Sequence, residues 1–143
     1  MAKYPVVVYG ASGYTGMLIM DWLIDQRIPF TAVARSAGRT REMMAQRVVR
    51  LESATYEIVE AEHTVDSLVK AFKGAKVVCN TVGPFVKFGL TAVEAALKAG
   101  CHHIDTTGEQ AYIRAVRDEF GEKYRQAGLL VSPSTAYMYT FAE

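Results

Sequence analysis

Three glycines spaced three residues apart follow directly on a short apolar run near the start of the chain. The run Val6–Tyr9 has the β-branched residues of a buried strand, and Gly10, Gly13 and Gly16 come after it. Beyond the glycines, apolar residues recur at helical spacing, namely Leu18, Ile19, Trp22 and Leu23. A strand, a glycine-rich turn and a helix in this order indicate a turn that binds a dinucleotide pyrophosphate, with an ordinary tight loop as the alternative.

Each glycine has a separate task in such a turn. Gly10 permits the tight turn, Gly13 lets the backbone approach the phosphates without a Cβ, and Gly16 lets the helix pack closely on the strand. Free amides and the positive end of the helix dipole favour an anion at this point. We therefore predict that residues 10–16 bind the pyrophosphate. Besides the glycines, the predicted contacts in this turn are Ser12, Tyr14 and Thr15.

Strand-like and helix-like segments alternate along the whole chain. The predicted strands are 6–9, 30–34, 56–59, 76–81, 103–105 and 129–131. The predicted helices are 15–26, 40–51, 65–72, 90–99 and 109–126, and three of them end at Gly74, Gly100 and Gly128. The pattern predicts an α/β fold with a doubly wound (Rossmann) six-stranded parallel sheet and helices on both faces. Ligands of such sheets lie at the carboxyl ends of the strands.

Composition excludes several classes of function. The formal charge of +1 over 143 residues gives no basic field for nucleic acid or an anionic membrane, so neither partner is expected. No apolar run is long enough to cross a bilayer. Two cysteines and the absence of an apolar signal core predict a reduced, cytoplasmic protein. No cysteine and histidine spacing suits zinc, so no metal is predicted.

The chain is predicted to hold one domain and a tail. Residues 1–132 form the nucleotide-binding domain, and residues 133–143 carry three aromatic residues beyond the last strand. One interpretation is that the tail leads toward a substrate and dimerisation domain that this chain lacks. The other is a short closing segment packed on the edge of the sheet.

The end of the second predicted strand indicates which nucleotide is bound. NAD-binding members of this fold carry an acidic residue about 20 positions after the glycines. Here Arg35 lies nineteen residues after Gly16, and Ser36 and Arg39 follow it. A guanidinium and a hydroxyl suit the 2′-phosphate of NADP, which a carboxylate would repel. We predict NADP rather than NAD, with Arg35, Ser36 and Arg39 as contacts; Arg41, Arg47 and Arg50 are assigned to a solvated helix face.

Two further loops follow predicted strands at the same edge of the sheet. The loop 80–85 places Thr81, Val82, Gly83 and Pro84 where the nicotinamide ribose and ring would lie. In the loop 105–109, Thr106, Thr107 and Glu109 are candidates for the far wall of the pocket, while a threonine that caps the next helix is the alternative.

No catalytic residue can be assigned from the sequence. His102 and His103 lie at the start of a strand, away from the ligand edge, so a structural role is expected, and His63 would at most approach the adenine side. The Tyr-x-x-x-Lys pair of short-chain reductases is absent, because Val116 follows Tyr112 at that spacing and Gly128 follows Tyr124. Cys101 is predicted to be a buried, inert thiol.

These segments together resemble the N-terminal NAD(P)-binding domain of the saccharopine dehydrogenase-like family, including its trans-acting enoyl reductase branch. The matching segments are 9–16, 34–36 with Gly38 and Arg39, 79–85 with Gly89, and 99–109. The resemblance implies that the glycine loop binds the NAD(P) phosphates, that Arg35 and Ser36 recognise the ribose phosphate, and that the loop 81–85 approaches the nicotinamide. It also implies a second domain that supplies the substrate pocket and much of a homodimer interface.

The expected function is that of an NADP-binding domain of an oxidoreductase. The parent protein would transfer a hydride between the nicotinamide and a C=N, C=O or C=C group of a small-molecule substrate, and this chain alone would be inactive. The alternative is a non-catalytic module that senses NADP and regulates a partner.

Overall fold

A computed structural model describes residues 1–136 of the chain. Its elements in chain order are β1 Val6–Tyr9, α1 Tyr14–Asp25, β2 Phe30–Ala34, α2 Ala37–Arg47, β3 Tyr56–Glu60, α3 Val65–Phe72, β4 Val77–Asn80, α4 Phe85–Ala99, β5 His102–Asp105, α5 Gln110–Gln126 and β6 Val131–Ser132, with a short 3-10 turn at Leu51–Ser53. Strands and helices alternate throughout, which confirms the predicted α/β class.

The six strands form one parallel sheet in the order β3-β2-β1-β4-β5-β6. This is the doubly wound order that was predicted, and it reverses direction between β1 and β4. The two strands are in direct register, with Tyr9 opposite Asn80 at their carboxyl ends. A crevice for a ligand therefore opens beyond Tyr9 and Asn80.

Helices cover the sheet from both sides. One core is formed by α1 and α2 over β1 and β2, with Met20, Phe30 and Met44 fully buried. On the opposite face, α3 and α4 pack on β1 and β4 around Leu68 and Phe72. A third cluster joins α4 to α5. This arrangement follows from right-handed crossovers, which place the helices before and after the reversal on opposite faces.

One half of the α1 side of the sheet has no covering helix within residues 1–136. Alternate residues of β4 and β5 point to opposite faces. Val78 and His103 are fully buried beneath α4 and α5, whereas Cys79 and Ile104, on the other face, are only half-buried. The exposed Trp22 of α1 borders the open half. No helix among the described residues is long and apolar enough to span a membrane.

Two helices start three or more residues earlier than predicted. α2 begins at Ala37 rather than at residue 40, because the Ser36 hydroxyl accepts a hydrogen bond from the N–H of Arg39 and caps the helix. It ends at Arg47, so Arg50 lies outside it in a left-handed conformation with φ of +60°.

α4 begins at Phe85 rather than at residue 90. Gly83 and Pro84 predict a loop of fixed shape before the helix, but Pro84 is itself the N-cap residue of the helix. The ends of β4 and β6 are shifted by one or two residues from the prediction. The three glycines expected after helices, Gly74, Gly100 and Gly128, all have positive φ.

Candidate functional site

The turn between β1 and α1 closes tightly around its glycines. Gly10 has a φ of +91°, and a Cβ added there would lie 2.5 Å from Oγ1 of Thr81. A Cβ at Gly16 would lie 2.5 Å from the carbonyl oxygen of Gly10, whereas Gly13 is exposed at the surface of the turn. The turn therefore needs glycine at positions 10 and 16 and presents bare backbone at position 13.

The first turn of α1 offers backbone N–H groups to a ligand. Its N-cap residue is Gly13, so no side chain caps the helix, and the first turn holds no acidic residue. Tyr14 and Thr15 are exposed beside it. Uncapped amides and the helix dipole together favour an anion here. The residues present therefore fit the pyrophosphate of a dinucleotide.

A pocket of about 260 Å³ lies next to this turn. It is lined by seven of the predicted cofactor contacts, namely Gly10, Ser12, Gly13, Arg35, Thr81, Val82 and Gly83. The remaining predicted contacts lie outside its lining, namely Tyr14, Thr15, Gly16, Ser36, Arg39 and Pro84. Residues from three separate loops thus meet at the carboxyl edge of the sheet, where the strand order reverses.

Arg35 stands directly after β2 and is exposed at the pocket wall. Ser36 caps α2 through its hydroxyl, which accepts a 3.3 Å hydrogen bond from the N–H of Arg39. A carboxylate oxygen of Glu60, at the end of β3, accepts the N–H of Ala37 at 2.8 Å. Ser36 therefore has a structural role as a helix cap, besides its predicted role as a phosphate contact. Of the two predicted cationic contacts, Arg35 and Arg39, Arg35 is the one that lines the pocket.

The loop after β4 forms another wall. Both the N–H and the hydroxyl of Thr81 donate to the carbonyl oxygen of Tyr9, each at 2.9 Å. The side-chain oxygen of Asn80 accepts the N–H of Val82 at 2.9 Å. The peptide bond between Gly83 and Pro84 is cis. These bonds hold the loop against the glycine turn.

The loop 105–109 is tied to helices and does not line this pocket. The two carboxylate oxygens of Glu109 accept hydrogen bonds from the N–H groups of Phe85 and Val86. Thr107 is fully buried, and its hydroxyl accepts the N–H of Glu109 at 3.0 Å. Neither Thr106 nor Thr107 is the N-cap residue of α5, which is Glu109, but the Thr107 hydroxyl bonds to the N–H of that residue and so supports the start of the helix.

Asp105 anchors this loop from within. It is 2% exposed and accepts hydrogen bonds from the Tyr112 hydroxyl at 2.7 Å and from the N–H groups of Thr107 and Ser134. Burial raises the pKa of Asp105, and these hydrogen bonds oppose the increase. The carboxyl group thus joins β5, α5 and the segment after β6.

Four lining residues were absent from the predicted contacts, namely Tyr9, Ala34, His63 and Phe88. Tyr9 and Ala34 are the last residues of β1 and β2, so the rule that ligands lie at strand ends was a sufficient signal for both. His63 had been expected only near the adenine side. Phe88 was missed because α4 was predicted to begin after it.

Tyr9 and His63 form a pair inside the pocket. The Tyr9 hydroxyl and Nδ1 of His63 share a hydrogen bond of 2.6 Å, and the rings of Phe88 and His63 make a T-shaped contact at 5.0 Å between centroids. Burial raises the pKa of Tyr9 to about 12. The pKa of His63 is lowered mainly by burial and to a lesser extent by the positive charge of Arg35. Both side chains are therefore neutral near pH 7 in the free protein.

The other histidines and Cys101 have structural positions, as predicted. His103 is fully buried, and burial lowers its pKa to about 3. Nδ1 of His102 accepts the N–H of Leu130 at 2.9 Å. The Cys101 thiol is buried against the carbonyl groups of Phe72 and Ala75, and burial raises its pKa. Residues 1–136 contain no cluster of three or more potential metal ligands.

Three features define a dinucleotide-binding domain of the Rossmann type. They are the doubly wound sheet, the turn that requires glycine at positions 10 and 16, and the uncapped start of α1 where the strand order reverses. The model of the saccharopine dehydrogenase NADP-binding domain matches residues 6–130. The chain belongs to this family of NADP-binding domains.

Curated relatives agree with the family. A lipid droplet localized protein of Caenorhabditis elegans is 32% identical over 92% of the chain, and a putative trans-acting enoyl reductase of Mycobacterium tuberculosis is 34% identical over 88%. The chain spans 32% and 30% of the lengths of these two proteins.

Solved structures show the same fold. Apo saccharopine dehydrogenase (L-Glu forming) of Saccharomyces cerevisiae has a TM-score of 0.75 at 15% identity, over 97% of this chain and 28% of that one. The yeast methylglyoxal/isovaleraldehyde reductase complexed with NADPH has a TM-score of 0.65 at 16% identity, over 90% of this chain and 55% of that one.

Proposed function

We propose that the chain is the NADP(H)-binding domain of an oxidoreductase that transfers a hydride between the nicotinamide and a C=N, C=O or C=C group of a small-molecule substrate. When bound, the nicotinamide supplies or accepts the hydride. The chain's own residues bind and orient the dinucleotide. The observation that carries the proposal is that Arg35 lines the same pocket as the glycine turn. A relative named as an enoyl reductase supports reductase chemistry.

Three groups of residues have separate tasks in this proposal. The amides of the turn at 10–16 hold the pyrophosphate, because they carry no competing side-chain cap. Arg35 pairs with the 2′-phosphate, for which a guanidinium is the best-matched side chain. Thr81 and Val82, held by their bonds to Tyr9 and Asn80, face the rest of the cofactor.

Calorimetric titration with NADPH and NADH tests the proposal. We expect NADPH to bind at least tenfold more tightly, a difference of about 1.4 kcal/mol. Arg35→Ala should remove that margin and leave NADH affinity unchanged. Arg41→Ala is the matched control, since Arg41 is exposed on α2 outside the pocket, and it should keep the margin. A folded chain that binds neither nucleotide would overturn the proposal.

Two further parts of the proposal concern the rest of the protein. We propose that residues 1–132 form the binding domain and that residues 133–143 lead to a separate substrate domain, in an assembly that is a homodimer. Of this tail, the Ser134 and Thr135 N–H groups bond to Asp105, and residues 137–143 lie outside the described part of the chain. Light scattering measures the oligomeric state directly.

The second candidate is a module that senses NADP without catalysis. It is favoured by the absence from the chain of a Tyr-x-x-x-Lys pair, which leaves the proton transfer to other residues. A hydride-transfer assay of a longer polypeptide that includes a substrate domain separates the two functions, since only the oxidoreductase would oxidise NADPH.

A further inference from the structure

His63 has a position that the proposed function does not use. It lies in the connection between β3 and α3 and lines the same pocket as Arg35. Its Nδ1 atom is hydrogen-bonded to the Tyr9 hydroxyl at 2.6 Å, and its ring makes a T-shaped contact with the ring of Phe88. The imidazole is thus held in one place from both β1 and α4. The protonation state of a side chain fixed beside a ligand site can respond to the charge of the ligand.

The pair with Tyr9 accommodates two protonation states of the ring. A tyrosine hydroxyl donates to the lone pair of a neutral Nδ1 and accepts from a protonated one. Because burial raises the pKa of Tyr9 to about 12, this hydroxyl keeps its own proton over the physiological range. The imidazole can therefore gain a proton without a change of ring position. Nε2 is buried and has no hydrogen-bond partner within residues 1–136, so no carboxylate there already holds a proton on the ring.

The charges around the ring favour the neutral form while the pocket holds no anion. Arg35 at the end of β2 is the nearby charge that acts on His63, and it opposes protonation. From α4, Lys87 lies over the ring of Phe88, with Nζ 5.2 Å from the centroid, and is also a cation. From β1 the neighbour is the neutral Tyr9. In its own loop the adjacent acid is Glu62, which is exposed to solvent and screened.

We propose that His63 is a specificity-determining residue that takes up a proton when a phosphate group lies beside Arg35, so that binding of NADP(H), but not of NAD(H), is coupled to protonation. This inference rests on the proposed function. A phosphomonoester carries about −1.5 to −2 charges near pH 7, which outweighs the single positive charge of Arg35. NADH has a hydroxyl at the same position, so it brings no charge beside Arg35. The proton comes from solvent and leaves an imidazolium with both ring nitrogens protonated.

Proton uptake is measured by calorimetric titration of the 143-residue chain in buffers of different ionisation enthalpy at pH 7. The variant His63→Asn keeps a polar group near Nδ1 but cannot titrate. Because the 2′-phosphate itself has a pKa of about 6, the difference between wild type and variant isolates the histidine. With NADPH, we expect wild type to take up on the order of half a proton more per bound nucleotide than the variant does. With NADH, we expect wild type and variant to take up the same number of protons. His102→Asn, at the other end of the sheet, should behave as wild type.

A second measurement does not depend on any variant binding well. The ring resonances of the three histidines are followed by NMR while wild-type chain is saturated with NADPH or NADH at pH 7. We expect the His63 ring to move to its protonated position with NADPH and to stay neutral with NADH. A neutral His63 in the NADPH complex, or equal uptake by wild type and His63→Asn, overturns the inference and leaves the cofactor assignment intact. A folded chain that binds neither nucleotide overturns the proposed function as well.

Discussion

The carboxylate of Glu109 accepts a 2.8 Å hydrogen bond from the backbone N–H of Phe85, the first residue of α4. Its second oxygen accepts the N–H of Val86 at the same distance. Two of the orphan amides of α4 are thereby satisfied by a negative charge at the positive end of the helix dipole. Because α4 starts directly after the loop 81–84, a residue at the start of α5 fixes the point at which this loop ends.

Removal of this cap should weaken both the fold and the site. We expect Glu109→Ala to lower the free energy of unfolding by about 1–2 kcal/mol, as loss of a helix cap does. NADPH affinity should fall by about threefold, because the freed helix start loosens the neighbouring loop. Chemical denaturation and calorimetric titration measure the two effects. Glu119 is an exposed acid on α5, and the control Glu119→Gln should change neither quantity. If Glu109→Ala leaves both the free energy of unfolding and the NADPH affinity unchanged, the cap is dispensable.

Gly89 and Gly121 are two helical glycines with opposite expected responses to alanine. A Cβ at Gly89 would lie 2.7 Å from Cζ of Tyr112, a ring that is 1% exposed and cannot move aside. We expect Gly89→Ala to cost about 1–3 kcal/mol in unfolding free energy through overpacking. At Gly121 nothing lies within 4 Å of the added atom. Gly121→Ala should stabilise the chain by about 0.5–1 kcal/mol through helix propensity.

Urea denaturation of both alanine variants measures these changes. Equal stabilisation by the two substitutions would contradict the packing assigned to Gly89, since that is what helix propensity alone predicts at both positions.

His103 makes the stability of the chain sensitive to acid. Burial lowers its folded-state pKa to about 3, whereas an unfolded histidine titrates near 6.5. Below pH 6.5 the unfolded state therefore binds a proton that the folded state does not, and the unfolding free energy falls by up to about 1.4 kcal/mol per pH unit. Asp105, whose pKa is raised by burial, acts in the opposite direction, and its Oδ2 lies 3.8 Å from Nδ1 of His103.

The variant His103→Leu isolates the contribution of the histidine. Neither ring nitrogen of His103 has a hydrogen-bond partner in the described part of the chain, so leucine sacrifices no bond there. We expect a flatter dependence of unfolding free energy on pH between 7 and about 5 than in wild type. Denaturation curves at each pH provide the comparison, with His102→Asn as the control that keeps the wild-type slope. A slope that leucine leaves unchanged would refute the assignment.

Features carried by contiguous residues were predicted well. The β1 strand, the helix Val65–Phe72 and the basic residue after β2 follow from local patterns of apolar residues, caps and charge. The fold class followed from their alternation, and the family from short motifs that the family model also matches over residues 6–130. The start of α4 was missed because its cap, Glu109, is 24 residues away from Phe85.

The sequence by itself determined the order of the elements and the glycine turn, because both depend on residues that are neighbours along the chain. Only the tertiary structure decided which side chains share the pocket. Tyr9 and His63 are 54 residues apart and meet there because the strand order brings β1 between β2 and β4. Likewise, only the tertiary structure shows that one half of the α1 side of the sheet is uncovered, since the burial of Cys79 and Ile104 depends on which helices pack over them. Contacts of this kind are set by topology, which places distant segments side by side.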